Sequence, residues 1–127
     1  MILDASAILA MILAEPGSQH LIRRVGESPV VAVGAPTLVE TAMVLSSRLQ
    51  RDPRPLLNEF LREAEVEVIP FTRDHYDVAL DAFARFGRGR HAAGLNFGDC
   101  LTYAVARISG MPLLFTGGDF SKTDLAH

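Results

Sequence analysis

The sequence predicts an α/β fold in which helices cover both faces of a central parallel β-sheet. Short apolar runs alternate along the chain with longer segments whose apolar residues recur at helical spacing. The runs are apolar at consecutive positions, which is typical of parallel strands that are buried on both faces. The chain has 127 residues, of which 49% are hydrophobic, so it can bury a core of its own. We therefore expect a single domain over residues 1–127.

The first half of the chain contains two strand-to-helix units. Residues 1–3 form a short apolar strand, and residues 6–13 continue at helical spacing until a Pro-Gly pair ends the helix. Residues 30–33 are mostly β-branched, which favours a second strand. A helix is predicted over 37–49, with Pro36 suited to its first turn.

The second half repeats this alternation. We predict helices over 53–64, 74–86 and 99–109, and strands over 66–69 and 113–115. The positions expected to face the core on the last two helices are Val78, Leu80, Ala82 and Phe83, and then Leu101, Ala104, Val105 and Ile108. Residues 87–94 hold three glycines among basic residues, and we expect a mobile loop there.

Three acidic residues follow predicted strands at one edge of the sheet. Asp4 follows the first strand, Glu40 lies about one turn into the next helix, and Asp119 comes just after the last strand. Ligand sites in open parallel sheets collect at this carboxyl edge. Structural alternatives exist, because Asp4 also suits a helix N-cap and Asp119 a turn. Glu40 lies on a helix that is apolar nearly all round, so we expect it to be buried, with an arginine partner as the structural alternative.

Asp99 is a candidate because of its environment. It opens a predicted helix and stands among mostly apolar residues. The topology alone leaves open whether the start of this helix lies at the same edge of the sheet as the other acids. Its structural alternative is a favourable charge at the positive end of the helix dipole.

Convergence of the four acids would have a chemical consequence. Two carboxylates about 5 Å apart repel by roughly 3 kcal/mol at an effective dielectric of 20, so the group must hold protons or bind a cation. Oxygen ligands without a zinc-type Cys or His pattern favour Mg²⁺, or Mn²⁺, and such an ion suits phosphodiester hydrolysis. The chain has no G-x-S-x-G, P-loop or G-x-G-x-x-G motif, so acyl transfer, nucleotide hydrolysis and dinucleotide chemistry lack support.

The charge and cysteine content restrict the partners and the compartment. The net charge of −3 means that nucleic-acid binding needs a local basic patch, for which Arg88, Arg90 and His91 are candidates. The alternative is a solvated loop. The single cysteine, Cys100, is expected to be buried and suits a reducing compartment. We see neither a signal peptide nor a membrane-spanning run, and expect a cytoplasmic protein.

Four segments carry the candidate acids together with their neighbours: Met1-Ile-Leu-Asp4-Ala-Ser6, Glu40 after Ala35-Pro36-Thr37, Leu95-Asn96-Phe97-Gly98-Asp99-Cys100, and Thr116-Gly-Gly-Asp119-Phe120. Together they resemble the PIN domain of VapC-type toxins. The match covers nearly the whole chain and has its acids in the family's order. The resemblance implies a three-layer α/β/α fold and a magnesium-dependent endoribonuclease that is the toxin of a toxin–antitoxin pair.

The resemblance also implies roles for individual residues. Asp4 and Asp99 match the principal metal-binding acids, and Glu40 and Asp119 match those that complete the site. Ser6, Asn96 and Thr116 match its polar surround. A cognate VapB-type antitoxin and a homodimer are further implications. Many relatives have Asn where this chain has Gly118, which puts the positioning of Asp119 in doubt.

Two other classes of protein compete with a nuclease. A phosphatase or phosphotransfer domain would use Asp4 as a covalent nucleophile, but such folds generally want a second nearby acid and a lysine, and the only lysine here is the late Lys122. A degenerate binding module would keep the fold without catalysis.

Overall fold

The computed structural model describes residues 1–125 and 127. Within them the chain forms ten regular elements and a short 3-10 turn at Phe120–Lys122. The elements are β1 (Ile2–Leu3), α1 (Ala5–Ile12), α2 (Ser18–Glu27), β2 (Val31–Gly34), α3 (Ala35–Leu49), α4 (Arg54–Glu63), β3 (Val66–Ile69), α5 (Arg73–Phe86), α6 (Phe97–Ser109) and β4 (Leu113–Leu114). None of the described helices is long and apolar enough to cross a membrane.

The four strands form one parallel sheet in the order β3-β2-β1-β4. Ile2 of β1 pairs with Ala32 of β2 on one side and with Leu113 of β4 on the other. The chain thus adds β2 and β3 on one side of β1 and later returns to add β4 on the other side. Open α/β sheets usually bind ligands beyond the carboxyl ends of the strands at such a reversal, which here falls between β1 and β4.

Helices cover both faces of the sheet and give a three-layer α/β/α arrangement. On one face Ile2, Ala32 and Leu113 pack into a core with residues of α5 and α6. On the other face, the residues that alternate with these pack with residues of α1, α3 and α4: Leu3, Val33 and Leu114. Neighbouring strand residues are therefore buried on opposite faces, as the consecutive apolar runs predict. Among the strands of the described residues, only β3, at one edge of the sheet, is partly exposed.

The structure corrects the sequence analysis at several points. Helix α2 was missed because it is largely polar, and Leu21 is its one buried large apolar residue. The prediction that three side chains face the core is wrong, because Leu80, Phe83 and Ile108 are 53%, 39% and 44% exposed. Helices α5 and α6 pack against each other through smaller residues such as Ala82, so these larger side chains stay outside.

The glycine-containing stretch 87–94 folds back on itself. The Leu95 N–H donates to the Phe86 carbonyl at 2.9 Å, and the Arg88 N–H donates to the Leu95 carbonyl at 3.0 Å. Gly89 and Gly94 have positive φ angles, which glycine adopts without strain. The stretch is therefore a turn closed by hydrogen bonds, and its mobility stays a prediction.

Candidate functional site: an acidic cluster at the carboxyl edge of the sheet

The acidic cluster comprises Asp4, Glu40, Asp99 and Asp119. Asp4 is its central member, because its charge acts on both Glu40 and Asp99. Its backbone N–H continues the ladder between β1 and β4 by donating to the Leu114 carbonyl at 3.0 Å. Its side chain is buried and caps α1, because Asp4 Oδ2 accepts hydrogen bonds from Ser6 N at 3.1 Å and from Ser6 Oγ at 2.5 Å. Asp4 Oδ1 accepts a third from Thr102 Oγ1 at 3.0 Å. Asp4 is therefore an N-cap, and its second oxygen faces α6.

Ser6 connects Asp4 to the end of β4. Its hydroxyl donates to Asp4 and accepts a hydrogen bond of 3.0 Å from the Thr116 N–H. Thr116 thus contributes its backbone amide to the polar surround, and Ser6 its hydroxyl. The two connections hold the segments that follow β1 and β4 together at the carboxyl edge.

Asp99 lies at this same edge. The first turn of α6 is a capping box, in which Asp99 N donates to Asn96 Oδ1 at 2.9 Å and Asn96 N donates to Asp99 Oδ2 at 3.1 Å. One turn later Thr102 reaches Asp4, so the start of α6 meets the end of β1. The question that the sequence left open is answered, and Asn96 is the residue that orients Asp99.

The pKa of Asp99 is raised above its ordinary value. Partial burial is the main cause, and the negative charges of Asp4 and Asp119 add to it. The Asn96 N–H and the positive charge of Arg88 act in the opposite direction. Asp99 therefore interacts electrostatically with acids from two other segments and with one basic residue.

Glu40 is not buried as predicted. It is exposed on α3, and so are its apolar neighbours Val39 and Met43, which are 58% and 67% exposed. None of the ion pairs formed within residues 1–125 and 127 involves Glu40, so the arginine partner is not found either.

The carboxyl group of Glu40 nevertheless faces the cluster. It lies against Gly98, where an added Cβ would come within 3.0 Å of Glu40 Oε1. Loss of hydration raises the pKa of Glu40, and the charges of Asp4 and Asp99 raise it further. Glu40 thus shares the electrostatic environment of both aspartates.

Asp119 comes from the segment that follows β4. It is exposed and begins the 3-10 turn Phe120–Lys122 without capping it through its side chain. Its charge contributes to the raised pKa of Asp99. A Cβ added at Gly118 would meet open space, so a larger residue would fit there.

The three basic candidates do not all lie beside the acids. Arg88 is close enough to Asp99 to lower its pKa, although burial and the neighbouring acids outweigh this effect. The guanidinium of Arg90 lies 4.9 Å from the ring centroid of Phe83. His91 Nδ1 accepts a hydrogen bond from the Ala93 N–H at 3.0 Å. The structure therefore places Arg88 near Asp99. Arg90 and His91 lie beside α5, where the ring centroids of His91 and Phe86 are 5.2 Å apart.

Two buried hydroxyls near Asp4 were missed by the sequence analysis. Thr102 donates to Asp4, and Thr37 lies within 3.0 Å of the Thr102 hydroxyl. A threonine inside a helix has no distinctive pattern, so composition did not reveal either one. The available signal was spacing, since Thr102 lies three residues after Asp99 and hence on the same face of the helix.

The acids do not form a closed metal cage. In the described part of the chain, no three His, Cys, Asp or Glu side chains are arranged to hold one ion together. The donor set still suits Mg²⁺, which binds through one or two carboxylates and keeps several of its waters. Burial is the main cause of the raised pKa of Glu40 and of Asp99, and the repulsion from neighbouring carboxylates that adds to it is the kind that a bound cation relieves.

An apolar cavity of about 700 Å³ adjoins the cluster. It lies between α5 and the start of α6, and its walls include Tyr76, Phe83 and Phe97. Phe97 is 81% exposed, although it stands only two residues before Asp99. Cys100 also lines the cavity and is buried, as predicted.

Comparisons with known proteins agree on one family. The family model described as "PIN domain" matches residues 1–125. Ribonuclease VapC of Mycolicibacterium smegmatis is 40% identical over 126 residues, which cover 99% of this chain and 98% of that protein. Ribonuclease VapC30 of Mycobacterium tuberculosis is 38% identical over 126 residues, which cover 99% of this chain and 96% of that one.

Two solved structures share the fold. The Mycobacterium tuberculosis toxin VapC20, described as cleaving the sarcin-ricin loop, superposes with a TM-score of 0.78 at 23% identity and covers 98% of this chain and 95% of its own. A chain of a toxin–antitoxin complex from Klebsiella pneumoniae superposes with a TM-score of 0.71 at 14% identity, covering 97% of this chain and 92% of that chain.

Proposed function

This chain belongs to the PIN-domain family, and we propose that it is a VapC-type endoribonuclease that hydrolyses RNA phosphodiester bonds with a divalent cation, Mg²⁺ or Mn²⁺. The observation that carries the proposal is the meeting of acids from distant segments at one edge of the sheet, where the charge of Asp4 acts on both Glu40 and Asp99. The names of the relatives that are about 40% identical over nearly their whole length support the ribonuclease activity.

We assign different roles to the four acids of the cluster. Asp4 and Asp99 would hold the cation directly, and Asp119 would reach it through one of the waters that the ion keeps. When bound, the cation polarises the scissile phosphate and makes an attacking water more acidic. Glu40 faces the same space with a raised pKa, which suits a group that orients this water and accepts its proton.

The remaining residues position the acids and the substrate. Ser6 and Asn96 orient Asp4 and Asp99 through the hydrogen bonds described above. Arg88, next to the acids, is placed to neutralise an RNA phosphate beside the cleaved one. Arg90 and His91 would contact the backbone further along α5.

We further propose that a VapB-type antitoxin inhibits this protein as a toxin, and that the protein forms a homodimer. The solved toxin–antitoxin complex that shares this fold supports the first partner. Four exposed apolar side chains line one cavity and so form a contiguous patch: Tyr76, Leu80, Phe83 and Phe97. A contiguous apolar patch often marks a protein interface, whereas scattered single apolar residues do not, so this patch supports a protein partner.

Cleavage of a structured RNA by the purified protein, freed of antitoxin, tests the proposal. We expect cleavage with Mg²⁺ or Mn²⁺ and none with a chelator. Asp99→Asn keeps a side-chain oxygen for the Asn96 N–H but loses the charge, so it should remove cleavage and leave the protein folded. Asp81→Asn, on the exposed face of α5, is the matched control and should cleave normally. Equal cleavage by Asp99→Asn would place the activity elsewhere.

A further inference from the structure

Two buried threonines lie directly beneath Asp4. Thr102 on α6 is 1% exposed, and Thr37 on α3 is 2% exposed. Their hydroxyl oxygens are 3.0 Å apart, and Thr102 Oγ1 is also 3.0 Å from Asp4 Oδ1. The three groups form a continuous hydrogen-bonded chain from the first turn of α3 to the end of β1.

The chain of hydroxyls has a defined direction. An ionised carboxylate only accepts hydrogen bonds, so Thr102 must use its single proton to donate to Asp4. The Thr102 oxygen can then only accept from Thr37, which must be the donor of the second bond. Both hydroxyl dipoles therefore point toward Asp4.

The bonds also leave the two oxygens of Asp4 unequal. A carboxylate oxygen has about two acceptor sites. Ser6 fills both sites on Asp4 Oδ2 with its N–H and its hydroxyl. Thr102 fills one site on Asp4 Oδ1, so among the hydrogen bonds of residues 1–125 and 127 one site stays free there.

Ordinary packing does not explain the contact made by Thr102. A threonine inside a helix commonly donates back to a carbonyl of the preceding turn. Thr41 does this on α3, with its hydroxyl 2.8 Å from the Thr37 carbonyl. Thr102 instead reaches across to a residue 98 positions away in the sequence, and it does so at a candidate ligand of the site.

We propose that Thr102, supported by Thr37, is a positioning residue that holds Asp4 so that its Oδ1 atom presents one free acceptor site to a divalent cation. The inference rests on the proposed function, since it assigns Asp4 a metal. Hydrogen-bonding partners behind a metal ligand commonly change metal affinity or activity by about 10-fold to 100-fold.

Three substitutions separate this role from simple core packing. Thr102→Val keeps the branched shape and removes the hydroxyl, whereas Thr102→Ser keeps the hydroxyl. Thr41→Val is the matched control, because it removes an equally buried hydroxyl that does not point to Asp4. Each variant is measured for Mn²⁺ affinity by electron paramagnetic resonance, for the kcat and KM of RNA cleavage, and for urea unfolding.

We expect Thr102→Val to weaken Mn²⁺ binding by at least about 10-fold and to lower kcat with little change in KM. Thr102→Ser should restore both, and Thr41→Val should leave both unchanged. Wild-type Mn²⁺ affinity in a folded Thr102→Val protein would overturn the proposal. So would an equal loss in Thr41→Val, because the effect would then follow from packing alone.

A second measurement separates this inference from the proposed function. The carbon-13 resonance of the Asp4 carboxyl group, recorded without metal, reports on its hydrogen bonds. We expect it to shift in Thr102→Val and to return toward the wild-type position in Thr102→Ser. A wild-type protein that binds no metal would contradict the proposed function, whereas an unmoved Asp4 resonance in Thr102→Val would contradict the hydroxyl chain itself.

Discussion

Glu40 shows how an exposed residue can still carry an electrostatic cost. Its pKa is raised by lost hydration and by the nearby charges of Asp4 and Asp99. A carboxyl group whose pKa is higher in the folded state contributes stability below its ordinary value of 4.5, and this contribution is lost as the pH rises through the folded value. At neutral pH the ionised group therefore destabilises the fold.

Glu40→Gln should consequently raise the free energy of unfolding at pH 7, because it removes an ionised group from the cluster. The gain should vanish on acidification to about pH 4, near the ordinary value of a glutamate, where wild-type Glu40 is itself protonated. Urea unfolding of both proteins at the two pH values measures the difference. A variant less stable than the wild type at pH 7 would show that Glu40 forms a stabilising contact instead.

Gly98 is expected to matter for the position of Glu40 more than for the helix. A methyl group at residue 98 would be pressed into the Glu40 carboxylate. Alanine is also the better helix former, so Gly98→Ala should keep or raise stability while cleavage falls by about 10-fold to 100-fold. Gly26→Ala on α2 is the control, since its methyl group meets open space and it should change only stability. Normal cleavage by Gly98→Ala would show that the position of Glu40 is not critical.

At the scale of elements, α6 connects the acidic cluster to the C-terminal segment. Its first turn carries Asp99, whereas Tyr103 donates from its hydroxyl to Asp124 Oδ1 at 2.6 Å. Asp124 Oδ2 also pairs with Arg85 at 3.2 Å and with Arg107 at 3.4 Å. This contact fastens the segment that follows Asp119 to α5 and α6.

The state of Tyr103 predicts how stability changes at alkaline pH. Burial and the hydrogen bond to Asp124 raise the pKa of Tyr103 to about 12. Its contribution to stability is present below the ordinary value of 10 and is lost as the pH rises toward 12. Tyr103→Phe should lower the free energy of unfolding by about 1 kcal/mol at pH 7 and weaken the decline above pH 10. Chemical unfolding at pH 7 and pH 10.5 tests both, and unchanged stability at pH 7 would show that the contact contributes nothing.

At the scale of the whole molecule, the layered parallel fold was predictable because strands buried on both faces leave a plain apolar signature. Helix α2 left no such signature, since it buries little apolar surface. The edge at which Asp99 lies depends on how α6 packs against the sheet, which local patterns do not specify. The family resemblance implies that Asp99 lies with the other acids, and the contact between Thr102 and Asp4 gives the geometric basis for this position.

The prediction that Glu40 is buried is also wrong, and the reason again lies in the tertiary fold. The apolar composition of α3 predicts a helix covered by the rest of the chain, but Val39 and Met43 are exposed in the described structure. Composition reveals how much apolar surface an element has, and it does not reveal whether the same chain covers that surface. The Thr37 and Thr102 hydroxyls were missed because only the tertiary fold brings them to Asp4.

Uptake of Mn²⁺ by the RNA-free protein is the most direct test of whether the acids act as one site. Titration of the wild type beside Asp99→Asn, followed by the resonance signal of free Mn²⁺, measures it. We expect saturable binding by the wild type and binding at least about 10-fold weaker in the variant. Equal binding by the two proteins, or none by the wild type, would contradict a shared cation site at the carboxyl edge of the sheet.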